Sequence, residues 1–208
     1  MIMKVSVFGG TGGTGKYLVT QLVTAGHSVT VLARTPSKVD AQNGSIKVVE
    51  GDARDESKVR EVVKGCEVVL AAFGPRSFKK DDIQAVFLSN LVNVMHTENI
   101  QRLIELSAWG AGGNVPNGQL FFKLIQKTIL KNVFDDKNRG EALVTQSDLS
   151  YTLVRPGRLT NKPGQGNVKA SLTGEGLSRS ISREDVAAFM VSQISDDKWL
   201  RSCPIIGY

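Results

Sequence analysis

Gly9-Gly10-Thr11-Gly12-Gly13-Thr14-Gly15 separates a short apolar run, Val5-Ser6-Val7-Phe8, from a segment, Lys16 to Ala25, that carries Leu18, Val19, Leu22 and Val23 at helical spacing. Strand, glycine-rich turn and helix, in that order, build a dinucleotide phosphate site. Gly10, Gly12 and Gly15 fit G-x-G-x-x-G; Gly9, Gly12 and Gly15 fit the related G-x-x-G-x-x-G. Backbone must come within hydrogen-bonding distance of a pyrophosphate, and a Cβ would obstruct that approach. The helix starting there aims unpaired N–H groups and its positive dipole end at the anion. The whole turn, Thr11, Gly13 and Thr14 included, is therefore a candidate cofactor-binding segment.

Downstream, apolar runs alternate with helical patterns. Strands are expected at Val29–Leu32, Lys47–Glu50, Glu67–Phe73, Gln101–Leu106 and Tyr151–Val154. Helices are expected at Glu56–Val63, Ile83–His96, Leu120–Val133 and Asp135–Gln146. Near-continuous apolar strands alternating with helices imply a parallel sheet covered on both faces. Weaker strand signals lie at Val168–Leu172 and Pro204–Ile206. Ser182 is placed to cap a helix over Arg183–Ser195, with Glu184 and Asp185 in its first turn. The 208 residues show no repeat or linker. They read as one Rossmann-type, doubly wound α/β domain with a mainly parallel sheet, and a small substrate-side region formed by 111–135 and 158–182.

Lys plus Arg number 26 against 20 for Asp plus Glu, a net charge of +6. The excess is scattered. Its densest series, Lys123, Lys127, Lys131, Lys137 and Arg139, has helical spacing and reads as a solvated helix face. With no nucleic-acid-binding motif, the balance suits a protein that handles anionic small molecules, and no nucleic-acid partner is expected. No apolar stretch approaches the length of a membrane span, and no membrane association is expected. Cys66 and Cys203 stand far apart and suggest neither a disulfide framework nor a metal site. The chain runs directly into its first strand, so no leader peptide and a cytoplasmic location are expected.

Ligands of such folds sit beyond the carboxyl ends of the strands. At the second strand, an NAD-selective site carries Asp or Glu for the ribose 2′-hydroxyl; this chain has Arg34. A guanidinium can bond a 2′-phosphate in bidentate fashion, and Thr35, Ser37 and Lys38 could add donors. The expectation is NADP(H) rather than NAD(H), unless Arg34 is an ordinary surface arginine. Asp52, with Ala53 beside it, either accepts from the adenine amino group or caps the next helix. Ala72, Phe73 and Gly74 end the fourth strand, where small residues admit a cofactor; core packing is an equal alternative for Phe73. Ser107 ends the fifth strand and either faces the nicotinamide end of the site or shapes a turn. Trp109 either walls a planar substrate or packs. Pro156-Gly157 ends the sixth strand, where stiff backbone can border the nicotinamide. His27 and His96 lie away from this edge.

These residues resemble a family. Val7 to Gly15, Val29 to Arg34, Gly51-Asp52, Asp135-Asp136, Leu149-Ser150-Tyr151, Pro156 and especially Ser178 to Asp185 with Phe189-Met190 are similar to atypical short-chain dehydrogenases/reductases of the NmrA-like group. Within it, the flavin (biliverdin B) reductases are most similar, nearly end to end. The resemblance implies a monomer that transfers hydride from NADPH to a flat conjugated acceptor: a flavin, a quinone or a biliverdin-like tetrapyrrole. Ser107 matches the family's active-site serine. Lys137 and Arg158 stand where these reductases have histidines, and both could bind an anionic acceptor or position a proton donor. Lys137 also matches the wider family's ribose-binding lysine, unless it is one more solvated lysine. The corresponding tyrosine position holds Val133, which disfavours alcohol–ketone chemistry, because that chemistry needs an acidic hydroxyl. The alternative implied by the same group is a non-enzymatic redox sensor that binds NADP(H) without turnover.

Overall fold

The computed structural model describes residues 2–41, 44–74, 81–113, 128 and 130–208. The segment 120–127, where a helix is expected, lies outside the described residues. Strands β1 (Lys4–Phe8), β2 (Ser28–Ala33), β3 (Ile46–Glu50), β4 (Val68–Ala71), β5 (Arg102–Leu106) and β6 (Ser150–Pro156) form the parallel part of one sheet, in the order β3-β2-β1-β4-β5-β6. With β7 (Arg158–Thr160), β8 (Lys169–Ser171), β9 (Ser180–Ser182) and β10 (Ile205–Gly207) numbered in chain order, β10 extends the sheet parallel to β6, and β8 closes it antiparallel to β10. A separate two-stranded parallel sheet pairs β7 with β9. The result is the doubly wound Rossmann-type α/β fold.

Alternation along each strand feeds two cores. On one face Val5, Val7, Val29, Val31, Leu70 and Ile104 pack under α1 (Gly13–Thr24) and under Val186, Ala187 and Met190 of the last described helix. On the other, Phe8, Leu32, Val69, Leu103 and Leu153 pack under α2 (Glu56–Val63) and α3 (Ile83–Thr97), and under Val144 of α4 (Lys131–Gln146). The last helix, α5 (Arg183–Ser192), lies beside α1. A Cβ on Gly140 would come 2.7 Å from Leu88 Cδ1, so this glycine sets how closely α4 approaches α3.

Most expected elements sit where periodicity placed them, α2 to the residue. Helix α5 ends three residues earlier than expected, at Ser192. β7 and β9 were not anticipated: each is three residues long, two of them polar, and exists only through pairing across twenty-two positions (Arg158↔Ser180). The order of the sheet reverses at β1, flanked by β2 and β4, and the glycine turn follows β1 directly. Such a switch point opens the crevice that a doubly wound fold uses for ligands.

Candidate functional site

The turn after β1 is shaped by its neighbours. Gly9 has φ +79°, and a Cβ there would strike the Ala72 carbonyl of the strand alongside. A Cβ on Gly10 would lie 2.7 Å from Val31 Cγ1, and one on Gly15 would run into the Gly9 carbonyl. Gly12 serves as the N-cap of α1, its N–H donating to Gly9 O at 2.8 Å. Asp55 caps α2 through the backbone of Ser57 and Lys58, and Ser182 caps α5 through Asp185 N. Asp136 on α4 accepts from Gln84 N and Ala85 N at the start of α3. Helix α1 has no side-chain cap and no acidic residue in its first turn. Among the described residues its leading N–H groups have no side-chain acceptor, which suits them to an anion.

A cavity of about 170 Å³ opens beside this turn. Gly9, Thr11 and Gly12 form one wall; Arg34, Thr35 and Lys38 form a second; Asp52, Ala53, Ala72, Phe73 and Gly74 close it. Eleven of the residues expected to bind cofactor thus meet in one place. Arg34 approaches Asp52 at 3.8 Å, both side chains nearly half exposed. The capping alternative for Asp52 is corrected, because Asp55 does that work; Asp52 accepts from Arg54 N at 2.9 Å. Phe73 packs on Phe87 with ring centroids 5.2 Å apart and also lines the cavity. Arg54 and Asp81, which sequence reasoning passed over, also line the cavity. The Arg54 guanidinium is spent on Asp81 at 2.5 Å and Asp82 at 2.9 Å, and its hydrogen bond holds the Asp81 carboxyl below its ordinary pKa. Arg34 therefore keeps a freer charge than Arg54.

The other expected residues lie farther along the carboxyl edge, in a buried ionic group. Ser107 continues β5, its N–H bonded to Val154 O at 2.7 Å, and its hydroxyl donates to Glu141 Oε1. Arg155 on β6 grips the same carboxylate, Nε to Oε1 at 3.1 Å and a terminal nitrogen to Oε2 at 2.6 Å. All three residues are less than a tenth exposed. A Cβ on Gly112, which has φ +64°, would strike Arg155, so the turn at Ala111–Gly113 fits closely over the pair.

Lys137 corrects the expectation of a solvated basic face. Lys131 and Arg139 are exposed, whereas Lys137 is buried one helical turn from Glu141, with its Nζ 3.4 Å from Leu106 O. Burial lowers its pKa, opposed by Glu105, Glu141 and Asp136. Glu105, inside β5, moves the other way: burial raises its pKa. Its Oε1 accepts from Gln84 Nε2 at 2.9 Å, while Oε2 has no partner among the described residues, as suits a neutral carboxyl.

Trp109 is packed rather than free-standing. It is buried, and a Cβ on Gly174 would lie 2.6 Å from its Cζ2. Pro156 is buried, and Gly157 makes room for the Arg179 carbonyl. Arg158 is exposed on β7. Glu105, Glu141 and Arg155 went unread in the sequence, though a signal was there: two ionisable residues inside apolar strands, and a glutamate four positions past Lys137. Among the described residues, no cluster of His, Cys, Asp or Glu could hold a metal ion, and no helix is long and apolar enough to cross a membrane.

Known proteins share this fold. An uncharacterised chloroplastic protein of Arabidopsis thaliana is 29% identical over 212 residues, covering 94% of this chain and 73% of its own. A short-chain dehydrogenase/reductase of Veillonella parvula, solved in complex with NADP, superposes with a TM-score of 0.81 at 20% identity, over 100% of this chain and 95% of that one. The anaerobilin reductase ChuY of Escherichia coli O157:H7 superposes with a TM-score of 0.82 at 18% identity, over 98% and 96%. At those identities the two structures share the fold. The model of a family described as NAD(P)H-binding matches residues 9–197, nearly the whole described chain. The protein belongs to that NAD(P)H-binding family.

Proposed function

We propose that the protein is an NADPH-dependent reductase that delivers hydride to a flat conjugated acceptor: a flavin, a quinone or a biliverdin-like tetrapyrrole. The observation that carries this reading is how Ser107 is used. Its hydroxyl proton is already committed to a Glu141 carboxylate that Arg155 holds on both oxygens. Val133 occupies the position where a carbonyl reductase would place its acidic tyrosine. Among the described residues the reaction end thus offers no dedicated acid, and the chemistry that suits it takes its proton from solvent.

A bound nicotinamide dinucleotide supplies the hydride. The glycine turn and the start of α1 hold its phosphates. Arg34, Thr35 and Lys38 favour a 2′-phosphate, while Asp52 and Ala53 border the adenine. Ser107, whose hydroxyl proton is committed to Glu141, would be left as an acceptor for a donor at the nicotinamide end. Lys137 faces the buried Glu141 carboxylate and steadies the end of β5 through the Leu106 carbonyl. Pro156 and Gly157 supply stiff backbone there, and Arg158 is the cation available to an anionic acceptor. With a nicotinamide dinucleotide held there, the acceptor would gain a hydride from it and a proton from water, no residue of the chain being consumed.

The test is oxidation of NADPH, followed by its absorbance, with flavins, quinones and biliverdin added in turn. Acceptor-dependent oxidation that is faster with NADPH than with NADH supports the proposal. Tight NADPH binding without turnover on any acceptor would replace it with the non-enzymatic sensor, a reading that the inward-turned Ser107 and buried Lys137 also suit. Equal rates with both cofactors would remove the role given to Arg34.

A further inference from the structure

Gly13 poses a question that the turn does not answer by itself. Gly9 needs its positive φ; Gly10 and Gly15 are hemmed in by Val31 and by the Gly9 carbonyl. Gly13 is the first residue of α1 and has no positive φ. Its backbone requires no glycine. What occupies the space of its missing side chain is Arg183: a Cβ on Gly13 would lie 2.7 Å from Arg183 Nε and 2.9 Å from Cδ.

Arg183 opens α5, and its side chain reaches across to the first turn of α1. One terminal nitrogen donates to the neutral Asn161 Oδ1 at 2.7 Å. Among the described residues it forms no salt bridge. A cation at the positive end of an uncapped helix is electrostatically unfavourable, since both repel each other. Anchoring holds it there all the same: Gln21 of α1 donates to the Glu184 carbonyl at 3.2 Å, and Ser182 caps α5. An anion placed between the guanidinium and the leading N–H groups of α1 removes the conflict, and a guanidinium matches phosphate oxygens in geometry.

We infer that Arg183 is a pyrophosphate-binding residue of the dinucleotide site, its guanidinium standing where a side chain at position 13 would otherwise be. The inference rests on the dinucleotide occupying the glycine turn. It divides the work between two cations: Arg183 holds the pyrophosphate that every nicotinamide dinucleotide carries, and Arg34 reads the 2′-phosphate that only NADP(H) carries.

Equilibrium titrations with NADPH, NADH and 2′-AMP, which bears a 2′-phosphate and no pyrophosphate, test this division. Arg183→Gln weakens NADPH and NADH alike, by about tenfold each, and leaves 2′-AMP within about twofold. Arg183→Lys keeps the charge and recovers part of the loss. Gly13→Ala, which pushes the guanidinium aside, shows a comparable loss, and the Gly13→Ala, Arg183→Gln double variant loses no more than the worse single. Melting curves confirm folded protein, and Gly13→Ala leaves α5 untouched if Arg183→Gln unfolds. Unchanged dinucleotide affinity in folded Arg183→Gln, a parallel loss of 2′-AMP, or fully additive losses would overturn the role. Native protein that binds none of the three ligands would instead overturn the dinucleotide reading, and the inference with it.

Discussion

Two ion pairs stand on the carboxyl side of the same sheet and could hardly differ more. Arg34 and Asp52 meet loosely at 3.8 Å with side chains 46% and 42% exposed. Arg155 and Glu141 meet at 2.6 Å with side chains 8% and 3% exposed. The first pair costs little to open, because water screens it and nothing else depends on it. The second is locked, because either partner alone would be a buried, unmatched charge. The contrast separates two tasks along one edge. Near the glycine turn, charge is left available for a ligand. Near Ser107, charge is consumed internally to fix the direction of one hydroxyl.

The sharpest way to break the comparison is to cut the buried pair. Glu141→Ala strands Arg155 and frees Ser107, and it lowers stability by about 3–5 kcal/mol, read from denaturant unfolding. Glu141→Leu combined with Arg155→Met restores much of that stability without restoring the hydroxyl's orientation. A loss as small as that of a surface pair would mean that the two pairs do not differ as described.

Next in size is Arg34→Glu, which sets a carboxylate against a 2′-phosphate. NADPH affinity falls roughly 10–100-fold, NADH affinity changes far less, and the fold is unaffected. A parallel loss of both cofactors would assign Arg34 to something other than the 2′-phosphate.

A smaller effect comes from pH. The raised pKa of Glu105 gives a contribution to stability that is fully present below the ordinary carboxyl value of 4.5 and is lost as pH rises through the raised value. Lys137 acts in the opposite sense: its lowered pKa contributes stability above the ordinary 10.5 that is lost as pH falls through the lowered value. Glu105→Gln keeps the shape of the neutral acid and removes its proton equilibrium. Subtracting the variant's melting temperatures from the native ones, from about pH 5 to 8, should leave a difference that declines as pH rises. A flat difference would mean that Glu105 does not titrate there. The smallest effect belongs to Asp52→Asn, which changes stability by no more than about 0.5 kcal/mol.

The glycine turn and the cavity beside it were legible because their signals are local. A glycine turn between a strand and a helix, and an arginine at the end of the second strand, are fixed by a few neighbouring residues. The reaction side was read poorly for the opposite reason. Lys137 looked like one member of a solvated basic series, because helical spacing shows which residues share a face but not what that face meets. Only Glu105 from β5 and the closely packed α3, admitted by Gly140, turn that face inward. Likewise, Arg155 gains its meaning from Glu141, fourteen residues earlier, and Arg183 from Gly13, across most of the chain. The strands β7 and β9 were missed on the same ground, since each forms only by pairing with the other across the sequence.

The reasons behind the individual glycines also bear on descent. Gly9, Gly10 and Gly15 are held by the protein's own strands and backbone, so a lineage that abandoned its dinucleotide would still be selected to retain them in order to fold. Gly12 and Gly13 face no such demand from packing against the sheet: a Cβ on the first would meet only the Gly9 carbonyl at 3.1 Å, and one on the second only a flexible arginine. Among descendants of this chain, drift at positions 12, 13 and 183 together would record the loss of the cofactor, while an intact-looking glycine signature would record nothing more than ancestry.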